Sequence, residues 1–306
     1  MKKFHPFIIV AIFTISLSSC KNDSPPVVVD EDTTLDIGML KHPRMLNPFI
    51  NPGATERTVY HNLFLSLADF DTETYELTPL LIKSIPEPEP ITEGKYKGGV
   101  QYTIEIREDA RWDNGDAITA KDLEFTIKTV KHPGTQTALY NNYLKWITDI
   151  TIDPNNPRIA TVVFEEYYFL AKELLVTLEL MPRYHYDTDN VMKQISIVEL
   201  DSKDAQSIIS EKPDLQKFAD TFNSVRYTRE EISGAGPYRF KEWIPNQLIV
   251  LEAKEDYWAD DLEKAYFANN PKEIRDHFFA DEAAAITQLK EGNIVLMSNI
   301  STTSFF

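Results

Sequence analysis

The sequence predicts an α/β fold, in which strands and helices alternate along the chain. Three stretches lead to this prediction. Residues 100–107 alternate apolar and polar side chains, which is typical of a half-buried strand. Val59 and Leu63 recur at helical spacing within 55–68, which predicts a helix there. Residues 274–297 read as a strand, a helix and a second strand, and the two strands of such a unit should be parallel.

The first half of the chain contains clear turn and cap signals. Asn114-Gly115 predicts a tight turn. Thr119 is expected to cap the next helix, with Asp122 at its third position, and Pro133-Gly134 to end it. The other elements predicted in this half are strands at 34–39 and 77–85, a hairpin at 146–164 and a helix at 166–181.

A glycine-rich stretch opens a hairpin in the second half. Gly234, Gly236 and Pro237 predict a turn in which the glycines adopt unusual φ values. Alternation after this turn predicts two strands that end at Leu251, joined through Pro245-Asn246-Gln247. The other elements predicted here are a helix around 215–222, a strand at 274–279, a helix at 282–291 capped by Asp281 and ended by Gly292, and a strand at 293–297.

The composition is that of a globular protein and limits the choice of partners. The chain has 306 residues, of which 42% are hydrophobic, and its formal net charge is −17. This length favours two domains. Such an acidic surface repels nucleic acid and anionic lipid, and it fits cation-rich substrates or simple solubility. The single cysteine excludes a disulfide framework and a thiolate metal site.

No catalytic signature is present in the sequence. There is no H-E-x-x-H, G-x-S-x-G, P-loop or G-x-G-x-x-G motif. The six histidines are scattered without the spacing of metal ligands. We therefore expect no enzymatic activity, no catalytic residue, no bound metal and no cofactor.

The N-terminus has the features of an export signal. Lys2-Lys3 precedes an apolar run from Phe7 to Leu17 that is too short to span a membrane. The tetrapeptide that ends at Cys20 resembles the lipobox of bacterial lipoproteins, with a plain signal peptide as the alternative. This resemblance implies a signal peptide at 1–20, acyl chains such as palmitate on Cys20 and a place in the bacterial cell envelope. Residues 21–34 are expected to form an extended tether.

Three sequence blocks occur in a fixed order and carry a family resemblance. The first runs from Arg111 to Phe125, the second is the 234–258 hairpin with its Tyr257-Trp258 exit, and the third covers 281–294. Together, behind the lipobox, they resemble the extracytoplasmic solute-binding proteins of family 5. These are the oligopeptide, dipeptide and nickel binders of ABC importers. The resemblance covers roughly residues 35–300.

That resemblance implies a periplasmic-binding-protein-like (type II) fold, whose two lobes close on a ligand like a hinge. Lobe one is expected at 35–262, with an inserted α/β subdomain around 58–180. Residues 263–306 are expected to begin lobe two with the β-α-β unit. We thus expect lobe one to be largely present and lobe two only begun, as in a chain truncated at its C-terminus.

The resemblance also implies where a ligand lies. The expected contact residues are Pro52, Gly53, Ala54, Tyr140, Ser298, Asn299 and Ile300. For 52–54 the alternative is a plain surface loop, and for Tyr140 it is simple packing of an amphipathic ring. For 298–300 the alternative is a frayed terminus.

The implied function is transport without chemistry on the ligand. A monomer anchored by lipid outside the cytoplasm would bind peptides or a similar small ligand between its lobes and deliver it to an ABC permease. The sequence alone leaves two alternatives open. In the first, the chain is a truncated or decayed copy without transport activity. In the second, it is an interaction protein that uses lobe one alone.

Overall fold

A computed structural model describes residues 34–50, 52–262, 265–297 and 300–301. The predicted signal peptide, Cys20 and the tether up to residue 33 lie outside the described residues, as do Ser298 and Asn299. None of the described helices is both long enough and apolar enough to cross a membrane.

The described strands and helices alternate, as the sequence predicts. The strands are β1 (Thr34–Met39), β2 (Ala68–Phe70), β3 (Leu77–Pro79), β4 (Glu89–Pro90), β5 (Val100–Glu105), β6 (Ile147–Ile152), β7 (Ile159–Phe164), β8 (Tyr238–Ile244), β9 (Leu248–Ala253), β10 (Glu273–Phe278) and β11 (Leu296–Met297). The helices are α1 (Ala54–Tyr60), α2 (Ala120–Lys131), α3 (Ala138–Leu144), α4 (Ala171–Val176), α5 (Arg183–Tyr186), α6 (Ile197–Leu200), α7 (Ala205–Ser210), α8 (Pro213–Phe222) and α9 (Glu282–Glu291). Short 3₁₀ turns lie at Val191–Gln194 and Ala265–Phe267, and a π turn at Arg226–Glu230.

The larger sheet has five strands in the order β11-β1-β10-β9-β8. Strand β1 pairs in parallel with β10, in a register that joins Thr34 to Glu273 and Met39 to Phe278. It also pairs in parallel with β11. The predicted β-α-β unit is therefore confirmed as parallel, but the first strand of the chain lies between its two strands. Strands β8 and β9 form the predicted antiparallel hairpin beside β10.

This topology bears on the expected start of a second lobe at residue 263. Strands β10 and β11 belong to the same sheet as β1, β8 and β9, so within the described residues the β-α-β unit and the β8–β9 hairpin share one sheet. The boundary expected between 262 and 263 stays a prediction.

A second sheet is built entirely from residues 89–164. Its order is β4-β5-β7-β6 and all its pairs are antiparallel. Alternate residues of β5, such as Tyr102 and Ile104, point into a large apolar core together with Trp112 and Phe125. Strands β2 and β3 form a separate two-stranded hairpin.

The turn and cap predictions that rest on local sequence are confirmed. Gly115 has a φ of 84°, as a tight Asn-Gly turn requires. The backbone N–H of Thr119 donates to Asp122 at 2.9 Å in the expected capping box. Asp281 accepts a hydrogen bond from the backbone of Ala284 at 2.8 Å, and Gly292 ends α9 with a φ of 77°.

Two predicted helices are shorter than expected because their ends pair with distant backbone. The helix predicted at 55–68 covers only α1, since the Leu63 carbonyl accepts a hydrogen bond from Gly236 N–H at 2.9 Å. The helix predicted at 166–181 covers only α4, since Glu179 pairs with Ser66 in an isolated antiparallel bridge. Tertiary hydrogen bonds satisfy these backbone groups in place of helical ones.

Strand predictions at 77–85 and 293–297 were also too long. Only Leu77–Pro79 and Leu296–Met297 belong to ladders of regular strands. Beyond β3 the chain makes single contacts, including a bridge between Ile82 and Ile106. An apolar run predicts burial correctly here, but it does not predict whether a neighbouring strand is available for pairing.

The glycines of the hairpin block serve a different purpose from the one predicted. Neither Gly234 nor Gly236 has a positive φ among the described residues, so the prediction of unusual φ was wrong. A Cβ atom on Gly234 would lie 2.2 Å from the carbonyl oxygen of Leu63, and one on Gly236 would lie 2.4 Å from that of Asn62. These positions need glycine because two backbones touch there.

Candidate ligand-binding site

A cavity of about 820 Å³ lies between α1, the β2–β3 hairpin, α3 and the segment that follows α4. Four residues from different elements line this cavity. Pro52 lies in the loop before α1, Arg57 on α1, Tyr140 on α3, and Glu179 in the segment after α4. The four elements are distant in sequence, so only the tertiary fold brings their side chains together.

The wall formed by α1 is held in place by a buried carboxylate. The Glu56 side chain is buried and accepts hydrogen bonds from the backbone N–H groups of Gly53 at 3.1 Å and Arg44 at 2.9 Å. This arrangement fixes the loop before the helix. The same hydrogen bonds fix the backbone beside Pro52, which lines the cavity.

The adjoining wall is held by the glycine-rich hairpin block. Gly236 N–H donates to the Leu63 carbonyl at 2.9 Å, and Tyr238 N–H donates to that of Asn62 at 3.0 Å. Because Asn62 and Pro237 both line the cavity, the motif that best identifies the sequence also shapes this wall.

Glu179 is the most unusual group in the wall. Its side chain lies in a residue only 7% exposed, and the Oε2 atom has no hydrogen-bond partner among the described residues. Burial raises the pKa of this carboxyl to about 7, an effect that Arg57 opposes and Asp69 reinforces. The backbone of Glu179 is fixed by its bridge to Ser66 and by the neighbouring hydrogen bond from Leu180 N–H to the Leu65 carbonyl at 3.0 Å.

Two tyrosines stand close to this carboxyl. Burial raises the pKa of Tyr60 to about 12 and that of Tyr140 further, and Glu179 adds to both shifts. The Tyr60 hydroxyl has no partner with hydrogen-bond geometry among the described residues, although the Tyr140 and Arg57 side chains lie near enough to lower its pKa. The Tyr140 ring packs edge-on against Phe49, with 5.0 Å between ring centroids.

The lining carries more acid than base. Its carboxylates are Asp69, Asp71, Glu73 and Glu179, and its basic side chains are Arg57 and His61. Burial lowers the pKa of His61, and the nearby Arg57 lowers it further. The cavity is therefore acidic, with one guanidinium in its wall.

The predicted site residues are only partly brought together. Pro52 and Tyr140 line the cavity, whereas Gly53 is the N-cap of α1 and Ala54 is its exposed first residue. Ile300 is absent from the cavity lining and packs with a small apolar cluster of Ala285, Ile294 and Met297. Ser298, Asn299 and Cys20 lie outside the described residues.

Sequence reasoning missed two residues of the cavity wall, Glu179 and Arg57. One signal for Glu179 was available: a lone acid stands within the apolar run from Leu178 to Met181. Such a residue is rarely buried without a reason. In the part of the chain that the structure describes, no three His, Cys, Asp or Glu side chains are grouped so that they could hold a metal ion.

Comparison with known proteins assigns the family. Residues 76–306 match the family described as "Bacterial extracellular solute-binding proteins, family 5 Middle". The chain belongs to the family 5 solute-binding proteins. The resemblance inferred from the three sequence blocks is thereby confirmed, and all three blocks fall within the matched residues.

Curated relatives of this family 5 protein include two peptide binders. It is 23% identical over 286 residues to "Probable peptide-binding protein YejA" of Agrobacterium fabrum, over 87% of this chain and 42% of that protein. It is 24% identical over 258 residues to "Periplasmic oligopeptide-binding protein OppA" of Salmonella typhimurium, over 82% of this chain and 41% of that protein. The chain thus spans less than half the length of these relatives.

Solved structures of similar proteins establish the fold class. An oligopeptide binding protein from Thermus thermophilus, complexed with a pentapeptide, matches with a TM-score of 0.61 at 20% identity, over 86% of this chain and 44% of that one. NikZ from Campylobacter jejuni, in complex with Ni(L-His), matches with a TM-score of 0.59 at 22% identity, over 86% of this chain and 42% of that one. The predicted periplasmic-binding-protein-like (type II) fold is confirmed.

Proposed function

We propose that this family 5 protein binds a peptide or a peptide-like small ligand for an ABC importer and performs no chemistry on it. The observation that carries the proposal is the cavity of about 820 Å³, in whose wall a buried carboxyl oxygen of Glu179 has no partner within the described residues. Ligand sites in proteins have volumes of about 300–1,000 Å³ and place a few polar groups among apolar ones.

The composition of the cavity wall supports a peptide-like ligand. Leu139 and Leu174 offer apolar surface, Tyr140 an amphipathic ring, and Glu179 and Arg57 charges of both signs. A peptide carries the same mixture of groups. The printed names of YejA and OppA describe peptide binders, which favours this ligand class for a member of the same family.

The proposed contact set keeps every residue expected from the sequence. Pro52 and Tyr140 would contact ligand from the cavity wall, and Gly53 and Ala54 through the backbone at the start of α1. The segment 298–300 stays in the proposed contact set because the family resemblance implies that it reaches the ligand.

We further propose a lipid anchor at Cys20 that holds the protein, as a monomer, outside the cytoplasm beside its permease. Metabolic labelling with an alkyne-tagged palmitate tests the anchor. The natural protein should take up the label and fractionate with membranes. A Cys20→Ser variant should do neither, and a labelled Cys20→Ser protein would contradict the proposal.

Calorimetry with a peptide library tests ligand binding, with protein produced from its complete natural reading frame. We expect at least one peptide class to bind, and Tyr140→Ala to weaken that binding roughly tenfold, as loss of an aromatic anchor does. Tyr167→Ala, which alters an exposed ring outside the cavity, is the matched control and should bind as the natural protein does. No binding by a protein that melts cooperatively would overturn the proposal.

A further inference from the structure

Glu179 presents a buried carboxyl group in the cavity wall, and one of its two oxygens has no hydrogen-bond partner among the described residues. The residue is more than nine-tenths buried, and it makes no ion pair within 4 Å among the described residues. A buried polar atom without a partner in a cavity wall indicates that a group from outside the chain completes its bonding.

The charged groups around Glu179 define what that partner can be. Arg57 on α1 is the cation that acts on its carboxyl, and Asp69 on β2 is the opposing anion. Tyr60 on α1 and Tyr140 on α3 carry no charge at physiological pH, and burial raises the pKa of each further above the ordinary tyrosine value. Asp71 and Glu73 add further negative charge to the lining. This surplus of acid favours a cation.

We propose that Glu179 selects the ligand by receiving an ammonium group that a side chain of the ligand carries. The inference rests on the proposed function, since it names the ligand chemistry of the same cavity. The cation that meets this description is the ammonium group of a lysine side chain. Arg57, which makes no ion pair within 4 Å among the described residues, remains in the cavity wall for a ligand carboxylate or carbonyl.

The physical basis is the cost of an unpaired buried charge. An isolated carboxylate in such a wall is unfavourable and holds a proton more tightly than in water. A bound ammonium group offsets that cost by direct pairing, so ligand binding should drive the proton off Glu179. Because the pKa of Glu179 is raised to about 7, the affinity for an ammonium-bearing ligand should rise with pH across neutrality.

Paired peptides test the inference by calorimetry, again on the complete natural protein. The peptides come from the class that binds best and differ at one position, lysine in one and its uncharged isostere norleucine in the other, with acetylated N-termini. We expect the lysine peptide to bind roughly tenfold more tightly at pH 8 than at pH 6, because the ionised fraction changes by that factor. The norleucine peptide should show no such dependence. The lysine peptide should also release a proton, which is measured in buffers of different ionisation enthalpy.

The variant Glu179→Gln keeps the side-chain shape and removes the charge. We expect it to lose roughly 30-fold in affinity for the lysine peptide, to lose the pH dependence, and to keep its affinity for the norleucine peptide. Glu166→Gln, which alters an exposed acid outside the cavity, should behave as the natural protein does. If the glutamine variant melts abnormally, Glu179→Asp replaces it and should retain the pH dependence with a smaller lysine preference.

The outcomes separate the two proposals. If peptides bind but lysine and norleucine are equivalent at every position, the role of Glu179 is overturned and the transport proposal stands. If α-acetylation alone removes binding and its pH dependence, Glu179 does not receive a lysine side chain and its proposed role is overturned. If no peptide binds at all, the proposed function itself fails, and the inference fails with it.

Discussion

Lys254 and Asp113 form an ion pair that joins two of the three sequence blocks shared with the family. The Lys254 ammonium lies 2.6 Å from the Asp113 carboxylate and donates to the Gly234 carbonyl at 2.8 Å. Its side chain is only 10% exposed. Ser233 adds a hydrogen bond to the same carboxylate at 3.3 Å. The turn after Trp112 is thereby connected to the end of β9 and to the glycine-rich entrance of β8.

Removing this pair should destabilise the fold. Asp113→Asn leaves a buried ammonium without its counter-charge, and we expect it to lower the free energy of unfolding by about 2 kcal/mol, less than for a fully buried pair. Asp109→Asn is the matched control, because its pair with Arg107 lies closer to solvent at the same 2.6 Å and should contribute under ~1 kcal/mol. Urea denaturation measures both. Equal losses would show that the connection between blocks is unimportant.

Gly236 should not tolerate a side chain. Its Cβ would lie 2.4 Å from the Asn62 carbonyl oxygen, so Gly236→Ala must separate two hydrogen-bonded backbones. We expect a loss of about 3 kcal/mol and weaker ligand binding, because the cavity wall at Asn62 moves. Gly94→Ala is the comparison: its φ is 80° but nothing lies within 4 Å of the added atom, so only the backbone cost of about 1 kcal/mol remains. Thermal melts should rank the two in that order.

Asp276 should make stability fall as pH rises. It lies on β10, the central strand of the larger sheet, in a residue 2% exposed, and its burial raises the pKa to about 7 from an ordinary value of 3.8. The folded state then binds the proton more tightly than the unfolded state does. The stability that protonated Asp276 adds is fully present below about pH 4, is lost as pH rises to about 7, and stays lost above that. Converting the difference between the folded and unfolded pKa values into free energy of unfolding gives roughly 4 kcal/mol.

Asp276→Asn should remove that dependence. The variant should match the natural protein near pH 4 and exceed it in stability at pH 8, as measured by urea denaturation across the pH range. Glu179 contributes a slope of the same sign, but it is present in both proteins and cancels in their difference. The exposed control Asp261→Asn should leave the pH profile unchanged. A constant difference between Asp276→Asn and the natural protein would contradict this account.

Two buried tyrosines should respond in opposite ways to loss of their hydroxyls. The Tyr60 hydroxyl has no partner with hydrogen-bond geometry among the described residues, so Tyr60→Phe should stabilise the protein by up to about 1 kcal/mol. The Tyr257 hydroxyl donates to the Ala235 carbonyl at 2.9 Å, so Tyr257→Phe should cost about 1 kcal/mol. Melting temperatures of the two variants without ligand measure both effects. A large loss in Tyr60→Phe without ligand would show an internal partner for that hydroxyl.

The sequence predicted features that depend on neighbours along the chain. The turn at Gly115, the caps at Thr119 and Asp281 and the end of α9 at Gly292 were all correct. Each is a short-range hydrogen-bonding or backbone requirement that one or two residue types satisfy. Strand alternation in β5 was predicted for the same reason, since a half-buried strand repeats every second residue.

The candidate site was predicted only in part. Pro52 and Tyr140 were named because of a family resemblance, whereas Arg57 and Glu179 were missed. The sequence placed Glu179 within a predicted leucine-rich helix. The antiparallel bridge between Glu179 and Ser66 instead positions Glu179 in the cavity wall. No local pattern specifies that bridge, because its two partners lie far apart in the chain.

The sequence by itself determined the α/β class, the caps and turns, and the family to which the chain belongs. Only the tertiary structure decided that β1 lies between β10 and β11, that Gly234 and Gly236 are needed for close approach, and that Glu179 lies in the wall of a cavity. The physical reason is the sequence separation between the residues that interact. Periodicity and capping are set within about one turn of the chain, whereas strand order, backbone contact and the burial of a carboxylate depend on segments that meet only when the whole core forms.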